Sequence, residues 1–439
     1  MERTKQVLKQ LREYESRNVT FMEPDGSWPV VWERASGTTV WDAEGRKYLD
    51  LTAAFGVAAA GHANPRVVRA GQAQMAKLLH TMGDVHPHAL KAKLARELSK
   101  ITFERWSAAK FKVRGEKSRI GKTIFCNSGF EAVEAALKTA MLATSKPGII
   151  AFEGAYHGLG YGTLNATHRG HFRSPFLKQL GGFAEFVRFP TIAREVKKAA
   201  ADIQQLLRGG KIGAILVEPV QARGGINVPP PEFLPALRRL CDEAGALLIL
   251  DEIYTGLGRT GKWFACEHSR TAPDLICLGK ALTGGFPLSA CVGRTDVMDA
   301  AWPVSSGEAI HTSTFLGHPV GCAMALAQIE EIRKHKLVER SAQQGNYLMS
   351  ELREVISNPQ FEISIRGLGL MVGVELCLPG GIPATMAVLR IIKDLLPRGF
   401  ILLPEGAQGN VISFTPPLTI SRAQLAKAIK ALKRVLSHE

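Results

Sequence analysis

An aspartate and a lysine, Asp251 and Lys280, stand 29 positions apart, and each follows a short apolar run. Asp251 comes directly after Ala246–Leu250, and Lys280 follows Leu275–Leu278 and precedes a glycine-rich turn. A lysine amine can form a Schiff base with an aldehyde cofactor, and a carboxylate can keep a pyridinium nitrogen protonated. The pair is the combination that pyridoxal 5′-phosphate chemistry requires. A lone pair of this kind would mean little, since most lysines are solvated surface charges, but the surrounding residues also fit that cofactor.

A second motif, FCNSGFEAVEAALKTA (residues 125–140), joins a tight turn to an amphipathic helical pattern. Ser128, Gly129 and Phe130 come at the start of that helix, where free N–H groups and the helix dipole favour a dianionic phosphate. Taken alone, the segment is equally compatible with an ordinary turn that enters a core helix.

These motifs, together with residues 37–65 and 410–421, resemble those of the class III pyridoxal-phosphate aminotransferases, or ω-aminotransferases, of fold type I. The resemblance covers nearly the whole chain, with the motifs in the same order. It implies an aminotransferase that moves an amino group from an amine or ω-amino donor to a keto acid through a ping-pong mechanism. It also implies that Lys280 and Asp251 are catalytic, and that the protein is a homodimer with shared active sites.

The resemblance assigns further cofactor contacts to Ser128, Gly129, Phe130, Tyr156, His157, Glu218, Ile253 and Thr314. Tyr156 should lie over the cofactor ring with Ile253 on the opposite face, and Glu218 should belong to an acid network with Asp251. Thr314 should reach the phosphate of the neighbouring subunit. Without the resemblance, a tyrosine at a strand end is more often a core residue, and a threonine in a polar loop has no special role.

The substrate residues depart from the family pattern. Many members have an arginine just before the PPL segment, which binds the substrate carboxylate, and a glutamate after EPxQ, which masks that arginine. Here Ser413 occupies the first position and Arg223 the second, and no arginine occurs from 399 to 421. One hypothesis is that Arg223 receives the carboxylate of the acceptor, because a guanidinium suits bidentate carboxylate recognition. The alternative is that Arg223 is a loop charge or holds a partner acid. Phe55 is expected to line the substrate pocket.

The fold is predicted from apolar runs that are continuous rather than alternating, a pattern typical of strands buried on both faces of a parallel sheet. The runs are Thr123–Cys126, Gly148–Phe152, Phe186–Phe189, Ala214–Val217, Ala246–Leu250, Leu275–Leu278 and Ser289–Val292. With the resemblance, they predict an α/β fold with a mostly parallel seven-stranded sheet in a large cofactor domain (66–320). A smaller α/β domain is expected from both termini (1–65 and 321–439), with a strand at 366–376 and a closing helix capped by Ser421.

The charge and hydropathy of the sequence limit the classes of partner that we expect. The 439 residues carry a formal charge of +15, but the Lys and Arg residues are mostly dispersed. The densest run, between Arg105 and Lys122, is interpreted as a solvated connector, because no aromatic residues of a nucleic-acid motif accompany it. No apolar stretch approaches the roughly 20 residues that span a bilayer, and no signal peptide is recognisable. We therefore expect a cytoplasmic protein whose partners are small molecules, without nucleic acid or membrane.

Two histidine pairs raise the possibility of a metal site. His86 and His88 form one pair, and His168 and His171 form the other. Neither has a cysteine or carboxylate at ligand spacing, and the seven cysteines form no CxxC motif. No metal is expected.

Other activities on the same fold stay open. A decarboxylase, an aminomutase or a lyase would keep Lys280, Asp251 and the turn of Ser128, Gly129 and Phe130 (the phosphate turn) unchanged. Only an aminotransferase consumes a keto acid. A non-catalytic homologue that binds the cofactor as a sensor is a further alternative, and retained DNA affinity without amine turnover would favour it.

Overall fold

The structure, a computed structural model, describes residues 2–24, 26–111 and 119–437. The strands of this part of the chain are β1 Trp32–Ser36, β2 Thr39–Asp42, β3 Lys47–Asp50, β4 Gly121–Cys126, β5 Gly148–Phe152, β6 Ala184–Val187, β7 Ile212–Val217, β8 Leu247–Asp251, β9 Leu275–Leu278, β10 Ser289–Arg294, β11 Glu362–Leu368, β12 Met371–Leu378, β13 Ile382–Pro383, β14 Phe400–Ile401, β15 Leu403–Glu405 and β16 Val411–Phe414.

The main sheet has seven strands in the order β4-β10-β9-β8-β7-β5-β6. Strands β6, β5, β7, β8 and β9 are parallel, and β10 runs antiparallel to both β4 and β9. Each strand coincides within two residues at either end with one of the seven apolar runs. Every residue of β7, β8 and β9 is buried, which explains why their sequences show no alternation. The predicted mostly parallel α/β fold is confirmed.

The helices of the described residues pack on this sheet and around two smaller sheets. They are α1 Glu2–Tyr14, α2 Ala53–Gly56, α3 Pro65–Lys77, α4 Ala89–Ser99, α5 Arg105–Ala108, α6 Gly129–Thr144, α7 Tyr161–Ala166, α8 Gly170–Arg173, α9 Ala193–Arg208, α10 Phe233–Ala244, α11 Thr295–Ala301, α12 Pro319–Lys334, α13 Leu337–Val355, α14 Thr385–Leu395 and α15 Arg422–Leu436, with single turns of other helix types at Lys100–Glu104, Ser174–Gln179, Ala265–His268 and Lys280–Leu282. Ser421 caps α15 as predicted, since its side chain accepts a hydrogen bond from Gln424 N.

The two smaller sheets lie outside the main one. One has the order β1-β2-β3-β14, so strands from the start of the chain pair with a strand from its last tenth. The other has the order β11-β12-β16-β15, with β13 on β12. The division of the chain at residues 65 and 320 stays a prediction.

The single strand predicted at 366–376 is wrong. The segment is a hairpin in which β11 ends at Leu368 and β12 begins at Met371. Gly369 makes the turn with a φ of +53°, and a Cβ there would lie 2.4 Å from the carbonyl carbon of Thr260. The apolar pattern continues through the turn because the turn itself is buried against the main domain, so it carries no polar signal.

Asp274 lies at the amino ends of β8 and β9, at the opposite edge of the sheet from the predicted catalytic pair. It is fully buried just before β9, and its carboxylate accepts hydrogen bonds from Arg238 Nη1 (2.7 Å), Arg294 Nη1 (2.6 Å) and Leu248 N (2.8 Å). One carboxylate therefore ties α10, β10 and β8 together beside β9. It is the one buried carboxylate that the two guanidinium groups share; Arg238 also pairs with Asp242 and Arg294 with Asp296, both of which are more exposed.

Replacing Asp274 with asparagine is expected to lower the free energy of unfolding by about 3 kcal/mol, because it removes the buried charge that Arg238 and Arg294 share. Each arginine then keeps only a more exposed partner, Asp242 or Asp296. Urea unfolding followed by circular dichroism measures the change. The matched control is Asp299→Asn, which breaks a surface pair with Lys122 in which both side chains are about half exposed. Asp299→Asn should lower the free energy of unfolding by less than about 1 kcal/mol. Equal losses for the two variants would contradict the structural role given to Asp274.

The basic run lies only partly within the described residues. Residues 112–118, including Lys112, Arg114 and Lys117, fall outside them. Of the flanking residues, Arg105 pairs with the buried Glu267 at 2.8 Å. No helix in the described segments is both long and apolar enough to span a bilayer.

Candidate active site

The carboxyl ends of neighbouring parallel strands bring the predicted acidic and basic groups together. Asp251 is the last residue of β8, Lys280 lies two residues beyond β9, and Glu218 directly follows β7. They open onto a cavity of about 380 Å³ lined by Gly129, Phe130, Tyr156, His157, Gly158, Leu159, Glu218, Ala222, Arg223, Asp251, Ile253, Tyr254 and Lys280. Nine of these are residues that the sequence predicts for the site. Such a sheet edge is where ligands gather in open α/β sheets.

Lys280 is held in an uncommon conformation. Its φ is +35°, in the left-handed region, and its Nζ lies 4.3 Å from the centroid of the Tyr254 ring. Burial lowers the pKa of the Lys280 amine, although the negative charges of Asp251 and Glu218 oppose that shift. A lower pKa leaves a larger fraction of the amine neutral near pH 7. The side chain is therefore suited to act as a nucleophile and a base.

Asp251 is fixed by two hydrogen bonds. His157 Nδ1 donates to its Oδ2 at 2.8 Å, and the backbone N of Ile253 donates to its Oδ1 at 3.1 Å. The backbone N of His157 in turn donates to Thr167 Oγ1 at 2.9 Å. This chain of contacts orients a buried carboxylate toward the cavity, where it can stabilise a positive charge.

Glu218 lies beside Asp251 and is held by backbone groups. Tyr156 N donates to Oε1 at 2.9 Å, and Ala222 N donates to Oε2 at 3.1 Å. Burial raises the pKa of Glu218 to about 7; the nearby His157 opposes the shift and Asp251 adds to it. At neutral pH this group can exist with or without a proton, so it can share a hydrogen bond with a ligand hydroxyl.

The turn before α6 presents donors without partners. Glu131 Oε2 accepts hydrogen bonds from Asn127 N and Ser128 N, both at 2.7 Å, while Ser128 Oγ is buried and has no partner. The first N–H groups of a helix have no intrahelical acceptor. A Cβ at Gly129 would lie 3.0 Å from Ile253 Cδ1, so a larger residue there would push against the Ile253 side chain. This donor set fits a phosphate, and with the acids and the lysine it fits pyridoxal 5′-phosphate.

Four residues predicted for the site do not line the cavity in the described part of the chain. One is Ser128, which lies in the turn before α6 next to the lining residue Gly129. Thr314 is exposed on a loop, where the adjacent Ser313 accepts a hydrogen bond from Asn127 Nδ2 at 3.3 Å. Phe55 is 47% exposed, and its ring centroid is 5.9 Å from the guanidinium carbon of Arg223. Ser413 is buried within β16. Their roles stay predictions.

The structure adds residues that the sequence did not indicate. Tyr254 lies three positions after Asp251, and that short spacing could have drawn attention to it. Glu405 and Arg169 lie beside Arg223, but they come from segments far apart in the chain, and no local pattern marks them.

The histidine pairs have structural partners. His88 Nε2 lies 2.7 Å from Gly317 O, and the ring of His168 packs edge-on against Phe186. Among the described residues, no group of three or more His, Cys, Asp or Glu side chains is arranged to hold a metal ion.

A family model described as "Aminotransferase class-III" matches residues 21–436. Among curated proteins, the chain is 39% identical over 419 residues to "5-aminovalerate aminotransferase DavT" of Pseudomonas aeruginosa, with 92% of each chain covered. It is 38% identical over 445 residues to "Putrescine aminotransferase" of Pectobacterium atrosepticum, covering 98% of this chain and 88% of the relative. It is also 34% identical over 413 residues to "Acetylornithine aminotransferase" of Methanosarcina acetivorans, covering 94% and 93%.

Solved structures of aminotransferases also resemble this chain. A Bacillus anthracis aminotransferase superposes with a TM-score of 0.88 at 26% identity, covering 99% of both chains. An omega transaminase from Pseudomonas jessenii in complex with PMP gives 0.86 at 25% identity, covering 98% of this chain and 97% of the other. The ornithine aminotransferase of Toxoplasma gondii gives 0.83 at 26% identity, covering 99% and 94%.

Proposed function

Since this chain belongs to the class III aminotransferases, we propose that it takes its amino group from a donor with a terminal primary amine and passes it to a keto acid. Class membership makes it a pyridoxal-phosphate-dependent aminotransferase. Relatives named for 5-aminovalerate, putrescine and acetylornithine support a donor whose amine stands at the end of an unbranched chain. The observation that carries the proposal is the meeting of Lys280, Asp251 and the phosphate turn at one cavity.

The residues that would hold the cofactor are grouped by the part they face. Ser128 Oγ and the N–H groups of Gly129 and Phe130 would bind the phosphate. Asp251 would face the ring nitrogen, and Glu218 the ring hydroxyl. Tyr156 and Ile253 would cover the two ring faces, with His157 behind Asp251. When bound, pyridoxal 5′-phosphate supplies an aldehyde that joins amines and a ring that stabilises the electron pair left when a proton departs.

The chain's own groups do the rest. Lys280 would hold the aldehyde of the bound cofactor, and its Nζ, once a donor amine has replaced it, would carry the proton that leaves the donor carbon. The lowered pKa of Lys280 favours an Nζ that can accept this proton. Asp251, oriented by His157, would stabilise a positive charge on the ring nitrogen. A keto acid would accept the amino group in the second half of a ping-pong mechanism.

We also infer a homodimer with shared sites, in which Thr314 of each chain completes the phosphate site of the other. Large exposed apolar side chains on the segments around the site support this; they are Leu79, Met82, Phe130, Ile310 and Phe315. An association of two copies would cover such side chains. We place the protein in the cytoplasm with no nucleic-acid or membrane partner. The seven cysteines, all free and six of them buried, are consistent with a reducing compartment.

The test is the visible spectrum of the purified holoenzyme with single amines and no keto acid. We expect 5-aminovalerate or putrescine to bleach the absorbance band of the bound cofactor, and added pyruvate or 2-oxoglutarate to restore it. 5-Hydroxyvalerate, which has the same length and no amine, is the matched control and should leave the band unchanged.

The outcomes separate the alternatives. Bleaching that a keto acid reverses identifies aminotransfer and names the donor. Turnover of an amine substrate with no need for a keto acid would indicate a decarboxylase, an aminomutase or a lyase. A stable band that no amine bleaches, with DNA affinity at physiological salt, would favour the sensor and contradict our proposal.

A further inference from the structure

An ion pair beside Lys280 is only loosely engaged. Arg223, on the loop after β7, has its Nε 3.4 Å from Oε2 of Glu405 at the end of β15. Both of these atoms are buried, and neither makes a hydrogen bond. Glu405 is only 4% exposed, whereas the Arg223 side chain is 29% exposed and lines the cavity.

The geometry differs from that of a purely structural pair in the same chain. Asp274 meets Arg238 and Arg294 at 2.7 and 2.6 Å with true hydrogen bonds. A buried carboxylate and a buried guanidinium that serve only each other gain most from such bonds. Arg223 and Glu405 make no such bond between Nε and Oε2, which leaves a donor of Arg223 available to a group that enters the cavity.

A second guanidinium stands at the same place. Arg169, just before α8, donates from Nη2 to the backbone O of Gly406 at 3.4 Å, next to Glu405. Burial raises the pKa of Glu405, while Arg223, Arg169 and Lys280 all oppose that shift through their positive charges. Two guanidinium groups and the amine of Lys280 therefore act electrostatically on one carboxylate. The local charge favours one more anion.

Aromatic rings fix the direction of the two guanidinium groups. Arg223 lies over Tyr156 with 5.2 Å between guanidinium carbon and ring centroid, and Arg169 lies over Phe172 at 5.5 Å. A guanidinium stacked on a ring keeps its N–H edge free for a bidentate acceptor. The loop is also held in place, because Gly406 N donates to Arg223 O at 3.2 Å. The site is therefore built before a ligand arrives.

We propose that Arg223 and Arg169 together form the subsite for the carboxylate of the substrate, and that Glu405 is its resident counter-ion, which the incoming carboxylate displaces from Arg223. This inference rests on the proposed function and names the substrate class of that site: keto acids and ω-amino acids. Compared with the pattern of many family members, the charges are exchanged. In this chain the arginine is Arg223, on the loop after EPVQ, and the acid is Glu405, in β15 of the sheet β11-β12-β16-β15. Ser413 occupies the position where many members have their arginine.

The experiment uses valerate, which carries the carboxylate but no amine, and measures its Kd for the holoenzyme by isothermal titration calorimetry. Arg223→Ala and Arg169→Ala should each weaken valerate binding roughly ten- to hundredfold, the loss expected for a hydrogen bond to a charged group. Glu405→Gln should strengthen valerate binding, because the negative charge that competes with valerate for Arg223 is removed. Binding of 1-pentanol, an uncharged molecule of the same length, should not change in any variant.

Arg173→Ala is the matched control. It removes an arginine from the same segment, one that lies over Phe186 rather than beside Glu405, and it should leave the valerate Kd unchanged. Where an alanine variant does not fold, the corresponding lysine variant, Arg223→Lys or Arg169→Lys, replaces it. Lysine keeps the positive charge but lacks the paired N–H donors of a guanidinium, so valerate binding should still be weaker.

Three results would overturn the subsite: an unchanged valerate Kd in both arginine variants, a loss confined to one arginine, or weaker binding in Glu405→Gln. The test stands apart from that of the overall function, because valerate has no amine to transfer. If no amine bleaches the cofactor band, the aminotransferase proposal fails while the valerate series still decides the subsite. If the band bleaches but the arginine variants bind valerate normally, only the subsite fails.

Discussion

Replacing Lys280 with alanine is expected to reduce transamination roughly 10⁴-fold or more, the upper end of what one acid–base group contributes. The effect should be this large because the same Nζ provides both the covalent attachment of the cofactor and the proton transfer. Its lowered pKa and its place between Asp251 and Tyr254 prepare it for both tasks. Single-turnover bleaching of the cofactor band by a saturating amine measures the rate.

A second readout separates chemistry from folding. Borohydride reduction should fix the cofactor covalently to the wild-type chain and not to Lys280→Ala. Added ethylamine should restore part of the lost rate, since a small free amine can carry the proton in place of the missing side chain. Lys262→Ala, which removes an exposed lysine from a nearby loop, serves as the control and should behave as the wild type. Near-normal turnover in Lys280→Ala would exclude the role that we assign to this residue.

The seven strands of the main sheet were predictable for a physical reason. A strand buried on both faces, such as β7 or β8, needs apolar residues at every position, so a short continuous run is enough to reveal it. The turn from Ser128 to Phe130 was less certain, because its residues alone fit an ordinary turn before a core helix equally well, and its phosphate role was inferred from the resemblance to the family. Parallel pairing of such strands then places their carboxyl ends, and the residues that follow them, at one edge.

The carboxylate subsite could not be predicted in the same way. Arg169, Arg223 and Glu405 come from three separate segments of the chain. They meet where β15 of the sheet β11-β12-β16-β15 packs against the loop after β7. From the sequence, Arg223 was compatible with three roles. In the structure, Arg223 Nε lies beside the buried carboxylate of Glu405 without making a hydrogen bond to it. That arrangement depends on the tertiary fold and cannot be read from the residue types. The hairpin at Gly369 was missed for a related reason, since a buried turn lacks polar residues.

Replacing Asp251 with asparagine is expected to slow the proton-transfer step roughly 10²–10³-fold, the usual effect of removing one preorganised electrostatic group from an active site. Asparagine keeps the shape of the side chain and can still accept a hydrogen bond from His157, but it loses the negative charge that would stabilise a protonated ring nitrogen. The cofactor should stay attached, because Lys280 and the phosphate turn are untouched. Single-turnover bleaching gives the rate, and the amplitude of the cofactor band gives the occupancy.

Glu252→Gln is the matched control for this change. Glu252 is the neighbouring buried carboxylate, but it accepts hydrogen bonds from Ala265 N and Cys266 N, both at 2.8 Å, and does not line the cavity in the described residues. Its substitution should lower stability and leave the bleaching rate of the folded enzyme unchanged. If Asp251→Asn lost occupancy but kept the wild-type rate, Asp251 would be a binding residue only. A slower rate at full occupancy would show that Asp251 acts on the reaction itself, because the two variants make the same carboxylate-to-amide change at adjacent positions and only Asp251 lines the cavity.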